Sequence, residues 1–206
     1  MSGTDNFYEK ESRLRIFLDH CTALVLTNIM WLICCIPVVT AGPATRAMFA
    51  NLRDHLDGGV CTGFSFLRHM KKDFLRSCLL GLFLLAMGAV LFLGAAMAAA
   101  SGSVVMLGLV GSVGLMTTLF GSTVFPLMTQ VELSARELIL TVATLCIVGL
   151  PRTLPAAALN LTPVVLILFF TDFFAHISVF WALLGFALVA MLDLKLLEPI
   201  FNRVRS

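Results

Sequence analysis

The chain has 206 residues, 59% of them hydrophobic and only 13% charged, with a mean hydropathy of +0.99. Soluble domains are about half apolar and about a quarter charged, so this composition excludes an ordinary soluble fold and intrinsic disorder and reads as an integral membrane protein. A formal net charge of +2 leaves no basic excess for a nucleic-acid partner.

Residues 1 to 20 mix Asp5, Glu9, Glu11 and Asp19 with Lys10, Arg13 and Arg15, which is not the short positive start of a secretory leader. The first apolar run, about 21–39, is long enough for one bilayer crossing and is broken by Pro37. Pro43 after Gly42 fits a helix start, and 43–57 reads as an amphipathic helix stopped by Gly58 and Gly59. Residues 63–76 interleave Phe64, Phe66, Leu67, Met70 and Phe74 with Arg68, Lys71, Lys72 and Arg76, the pattern of a helix lying at a membrane surface. Ser77 to Val131 carries no charge and is divided only at Ser101-Gly102-Ser103, which predicts two antiparallel crossings at about 77–100 and 104–128. Residues 131–150 hold an apolar run too short to cross, read as interfacial or re-entrant. Two further crossings, about 153–171 and 173–192, flank Asp172, and the chain closes in a polar, basic exit. The expected fold is one all-α, polytopic helical membrane domain over 1–206, with about five transmembrane helices plus a short re-entrant or interfacial helix.

Six of the fourteen Lys and Arg residues lie between the first and second apolar runs, so the 44–76 loop is expected on the cytoplasmic side, and Lys195, Arg203 and Arg205 put the C-terminus there too. The side of the N-terminus stays open: one crossing at 21–39 requires the outside, whereas Lys10, Arg13 and Arg15 favour the inside unless the Pro37 to Pro43 break makes the first segment re-entrant.

No catalytic or cofactor-binding constellation is present: no nucleophile elbow, phosphate-binding loop or zinc spacing occurs among the six cysteines and four histidines. The expectation is a protein that is not an enzyme and carries no cofactor or metal. Asn28, mid-run in the first crossing, has to hydrogen-bond to another helix. With Thr40, Arg46, Asn160 and Thr162 it forms a candidate polar pocket. Asp172 and His176 are one turn apart and share a helix face. Arg68, Lys71, Lys72 and Arg76 form a candidate partner or lipid surface.

Asn28, Trp31, Pro37, Thr40, Gly42 and Pro43, in NIMWLICCIPVVTAGPATRAMF, together with the later aromatic and basic stretch, resemble the YesL family of bacterial membrane proteins, whose domain has no assigned function. The resemblance implies a multi-pass protein of a Gram-positive bacterial cytoplasmic membrane that serves carbohydrate utilisation as an accessory component, with a sugar ABC permease as its partner besides the bilayer. The alternative is a small solute transporter acting as a homo-oligomer. The motif itself also reads structurally, as a helix end, a cap, a turn and a helix start.

Overall fold

The computed structural model describes the backbone of residues 2–205 and the side chains of residues 13–167, 170 and 176–201. Among them there is no strand. In chain order the helices are α1 (Ser2–Cys35), α2 (Ala41–Leu56), α3 (Gly63–Lys71), α4 (Phe74–Ser101), α5 (Val104–Met128), α6 (Ala135–Val148), α7 (Leu150–Phe169), α8 (Thr171–Phe180) and α9 (Phe186–Arg205). A 3₁₀ turn at Val38–Thr40 joins α1 to α2, and a π turn at Trp181–Gly185 joins α8 to α9. Five stretches are long and apolar enough to cross a membrane: Arg13–Cys35, Phe74–Ser101, Val104–Met128, Leu150–Ile167 and His176–Phe201. The protein is an all-α polytopic membrane protein.

Helix α2 is the centre of the bundle. It packs against α1, α3, α4, α5 and α9, and ten of its sixteen residues, from Gly42 to Leu52, are buried. Its polarity predicts an amphipathic interfacial helix, and the structure corrects that reading. The polar groups Arg46 and Asn51 are buried and bonded to neighbouring helices, so low hydropathy up to Leu52 reflects internal hydrogen bonding, and only the last turn, with Asp54 and Leu56, reaches the surface.

Helices α1 and α2 form an antiparallel hairpin, fixed by contacts that run in opposite order along the two chains: Trp31 to Thr45, Thr27 to Asn51 and His20 to His55. At the tip, Pro37 ends α1, and the Thr40 hydroxyl turns back to the Cys34 carbonyl, which the end of the helix leaves open, and to the Pro37 carbonyl, which also accepts from the Thr40 N–H in the 3₁₀ turn. Gly42 then lets α2 cross α4 at backbone contact. A Cβ at this position would stand 2.0 Å from the Ser77 carbonyl oxygen, and one at Gly81 would stand 2.5 Å from the Gly42 Cα.

Helices α4 and α5 pair along their length, with Leu84 against Gly121 and Gly94 against Val110. Beyond the first turns of α4 and before the last turns of α5, large apolar side chains such as Phe83, Phe92 and Leu109 point outward, as a surface facing hydrocarbon requires. Helix α6 buries Leu138, Val142 and Leu145, spaced i, i+4 and i+7, on one face. Helix α9 corrects the reading of its end as a polar exit: it stays helical to Arg205 and buries Asp193, Leu194, Leu197, Ile200 and Phe201. The charges at Lys195 and Glu198 interrupt the hydropathy but fall on its outer side, while the buried residues recur at helical spacing.

Candidate functional site

Three buried polar constellations and one outward face hold nearly all the sequence-derived candidates. The first is built on Asn28, which is fully buried on α1. Its side-chain amide donates to the carbonyls of Trp181 and Ala182, at 3.1 and 2.6 Å, and its oxygen accepts from the Ala187 N–H at 2.9 Å. The two carbonyls belong to the π turn, whose i to i+5 bonding displaces part of the regular ladder, and the N–H belongs to the first turn of α9. One amide thus meets carbonyls on one side and an N–H on the other, which only Asn or Gln has the groups to do. Trp31, a turn further along, donates to Thr45 at 3.1 Å and stacks on Phe186, with ring centroids 4.8 Å apart.

In the second constellation Arg46, 3% exposed, reaches from α2 to the junction of α3 and α4. It donates to the carbonyls of His69 and Lys72 and pairs with Asp73 at 3.2 Å. Burial lowers the pKa of this guanidinium, and Asp73 beside it works in the other direction. Asp73 has a left-handed backbone, φ +52°, a conformation uncommon outside glycine and most accessible to Asp and Asn. Arg46 ties the end of α3 and the Asp73 side chain to one point, which holds that turn.

The third constellation was not anticipated from the sequence. Asp193 on α9 is fully buried in a crossing-length segment, and Asn160 on α7 donates to its Oδ2 at 2.5 Å. Its Oδ1 has no partner among the described residues. Asn160 also donates to the Ala156 carbonyl.

The five residues nominated for one polar pocket are therefore engaged with different partners. Asn28 serves the π turn, Thr40 the hairpin tip, Arg46 the turn before α4, and Asn160 the carboxylate of Asp193, while Thr162 donates to the Ala158 carbonyl of its own helix. The residues that carry the sequence resemblance, Asn28, Trp31, Pro37, Thr40, Gly42 and Pro43, all lie in the α1–α2 hairpin and its junctions with α4 and the π turn. The pairing of His176 with Asp172 lies outside the described residues.

A cavity of about 400 Å³ opens where the hairpin's two far ends meet, lined in part by Asp19, His20, His55 and Cys61. His20 Nδ1 and His55 Nε2 are 3.1 Å apart, their rings edge to face. The Cys61 thiol donates to the Asn51 carbonyl, and burial pushes its pKa up. Among the described residues no group of three or more His, Cys, Asp or Glu side chains is arranged to hold a metal ion.

The outward face belongs to α3. A capping box of Thr62 and Ser65 fixes its start, Phe66 anchors it in the core, and Arg46 holds its end. Phe64, Leu67, Arg68 and Lys71 all face out, at i, i+3, i+4 and i+7, one stripe of the helix. Of the four basic residues nominated as a surface, two are committed to the protein itself. Lys72 pairs with Glu132 at 2.7 Å, which holds the Glu132 carboxyl below its usual range, and Arg76 donates to the Leu133 and Ser134 carbonyls.

These features define a multi-pass helical membrane protein organised around a buried hairpin. A family model described as a protein of unknown function, DUF624, matches residues 24–95, the stretch from the middle of α1 to near the end of α4. No curated protein and no solved structure matches the chain.

Proposed function

We propose that this protein is a member of the YesL family and an accessory membrane subunit of a bacterial carbohydrate-uptake system, which docks on a sugar permease through the outer face of α3. The observation that carries the reading is the rigid presentation of Phe64, Leu67, Arg68 and Lys71 on one stripe. A helix capped at its start and clamped at its end has little freedom to lose on binding, and aromatic and arginine side chains are the usual anchors of an interface.

In this reading the α3 surface and both chain ends face the cytoplasm. The antiparallel hairpin supports that orientation, because it brings the His20 end of α1 beside the His55 end of α2 and so gathers Arg13, Arg15 and Arg53 at one end. The hairpin returns the chain to the side from which α1 starts, and the four other crossing-length helices make an even number, so the positive-inside rule is satisfied throughout.

The test is mild-detergent purification of the tagged protein from cells grown on a complex glycan. The expected result is a permease recovered in stoichiometric amount from the wild type and lost when Arg68 and Lys71 are both changed to Glu. An intact complex with that double variant removes α3 as the contact.

A second reading, a small transporter working as a homo-oligomer, is favoured by one observation, the carboxylate of Asp193 buried in a crossing segment with one oxygen unpartnered. Ionisable groups at such depth often mark transport pathways. A clean homo-oligomer with solute flux in liposomes, abolished by Asp193→Asn, would establish it in place of the accessory role.

A further inference from the structure

An open groove of about 460 Å³ runs between α4, α5 and α6, lined by apolar side chains that include Leu80, Phe83, Leu84, Met116, Phe120 and Ile139. Two of its three walls are crossing-length helices, and Phe83 is 56% exposed, so its open side faces the region of the hydrocarbon. A cavity of about 150 Å³ already accepts a benzene ring, so there is room here for a long stretch of acyl chain.

The foot of the groove is charged. On α4, Arg76 lies one turn before Leu80, and on α6, Arg136 lies one turn before Ile139; i to i+4 and i to i+3 are same-face spacings. Arg76 donates to the Leu133 and Ser134 carbonyls. Arg136 is exposed, and no hydrogen bond or ion pair engages it among the described residues. The two nearby carboxylates are already occupied. Glu132 pairs with Lys72, and Glu137 accepts from the backbone N–H and hydroxyl of Ser134 in the α6 capping box. One exposed cation without an ion pair among the described residues therefore stands one helical turn from an apolar groove, at the end where the charged residues begin.

We propose that this groove is a binding site for an anionic phospholipid, with one acyl chain lying between α4, α5 and α6 and the phosphate meeting Arg136. The arrangement matches the two halves of such a lipid in order and in spacing. A basic side chain beside a bilayer contributes about 1 kcal/mol toward an anionic headgroup, which corresponds to about fivefold in affinity. The apolar groove supplies binding that is indifferent to the headgroup.

The experiment is native mass spectrometry of the delipidated full chain, titrated with phosphatidylglycerol or phosphatidylcholine of identical acyl chains. The wild type is expected to retain phosphatidylglycerol about fivefold more strongly. Arg136→Glu should reduce that preference to parity or below while phosphatidylcholine binding stays the same. Thr117→Phe, which adds bulk to the groove wall, should weaken both lipids together. Soluble glycerol phosphate should fail to compete at the same concentrations. Equal retention of the two lipids by the wild type, or a preference that survives Arg136→Glu, overturns the headgroup assignment. Competition by glycerol phosphate, or full binding by Thr117→Phe, overturns the groove. The melting temperature of each variant in detergent checks that it is folded, and if Thr117→Phe is not, Met116→Trp serves as the groove block.

Discussion

Asn28 shows how much one side chain can carry when it alone spans two backbones. Replacing it with Leu leaves two carbonyls of the π turn and an N–H of α9 without their partner in a dry setting, at about 1–3 kcal/mol for each group left unsatisfied. Asn28→Leu should lower the melting temperature in detergent strongly and well beyond Ile29→Leu at the exposed neighbouring position; equal melting of the two would refute the bridging role. Gly42→Ala tests the opposite limit, the absence of an atom. With the Ser77 carbonyl oxygen 2.0 Å from the new Cβ, α2 and α4 must separate, and overpacking of this kind costs about 1–3 kcal/mol or more. The need for a partner to Asn28 was legible from its place in an apolar run, but the partner was not, because nothing in Trp181 to Gly185 announces a π turn. Asp193 was hidden for a different reason. It stands beside Lys195 and Glu198 in a stretch that reads as solvent-exposed, and its partner Asn160 is 33 residues away.

At the level of elements, hydropathy located the crossing helices and failed at α2. A run containing Arg46, Asn51, Arg53, Asp54 and His55 looks like a helix that needs water, yet neighbouring helices supply the hydrogen bonds that water would. The clamp by Arg46 makes that concrete. Arg46→Met retains the apolar stem but leaves the His69 and Lys72 carbonyls and Asp73 without their cation. Removing one partner of a buried pair costs about 3–5 kcal/mol, and with Asp73 itself part-exposed the lower end applies. Hydrogen exchange should quicken through α3 and the turn at Asp73 while the α4–α5 hairpin keeps its protection; unchanged exchange in α3 would discard the clamp. The α6 capping box gives a pH test. Bonds from Ser134 hold the Glu137 carboxyl below its ordinary range. Its contribution is therefore present at neutral pH and lost as the pH falls through that lowered value. The wild type should outlast Glu137→Gln on heating at neutral pH, and the difference should close in acid. A gap that persists or widens in acid would contradict this origin.

For the molecule as a whole, the antiparallel hairpin makes a prediction about sidedness that no single helix makes. A membrane-impermeant thiol reagent should reach Leu14→Cys and Gly58→Cys from the same side, and Ser103→Cys only from the other, in a background without the native cysteines. Labelling of Leu14 and Gly58 from opposite sides would exclude the hairpin as the unit that sets orientation. The motif from Asn28 to Pro43 takes on a structural meaning at this scale. Its residues bring the chain back on itself and attach the return leg to α4 and to the π turn, and the stretch matched by the DUF624 model contains all of α2 and α3.

The π turn gives the C-terminal helices a reserve of one residue in one direction only. One more residue per hydrogen-bonded turn is accommodated between α8 and α9, so Phe186 stands where an uninterrupted α-helix would place the residue one number earlier, an offset of about 100° in sequence phase. Deleting one residue from 181–185 uses up that reserve: the segment closes into a plain α-helix, α9 keeps its phase with Asp193 against Asn160, and what is lost is the pair of open carbonyls that Asn28 holds. Inserting one residue there has no such reserve and would screw α9 around by about 100°, taking Asp193 from Asn160 and the stripe of Leu194, Leu197 and Phe201 off the core. Deletion of the exposed Leu183 should therefore lower the melting temperature in detergent and keep the fold, whereas a one-residue insertion after it should abolish folding; the reverse order would contradict this account of the turn.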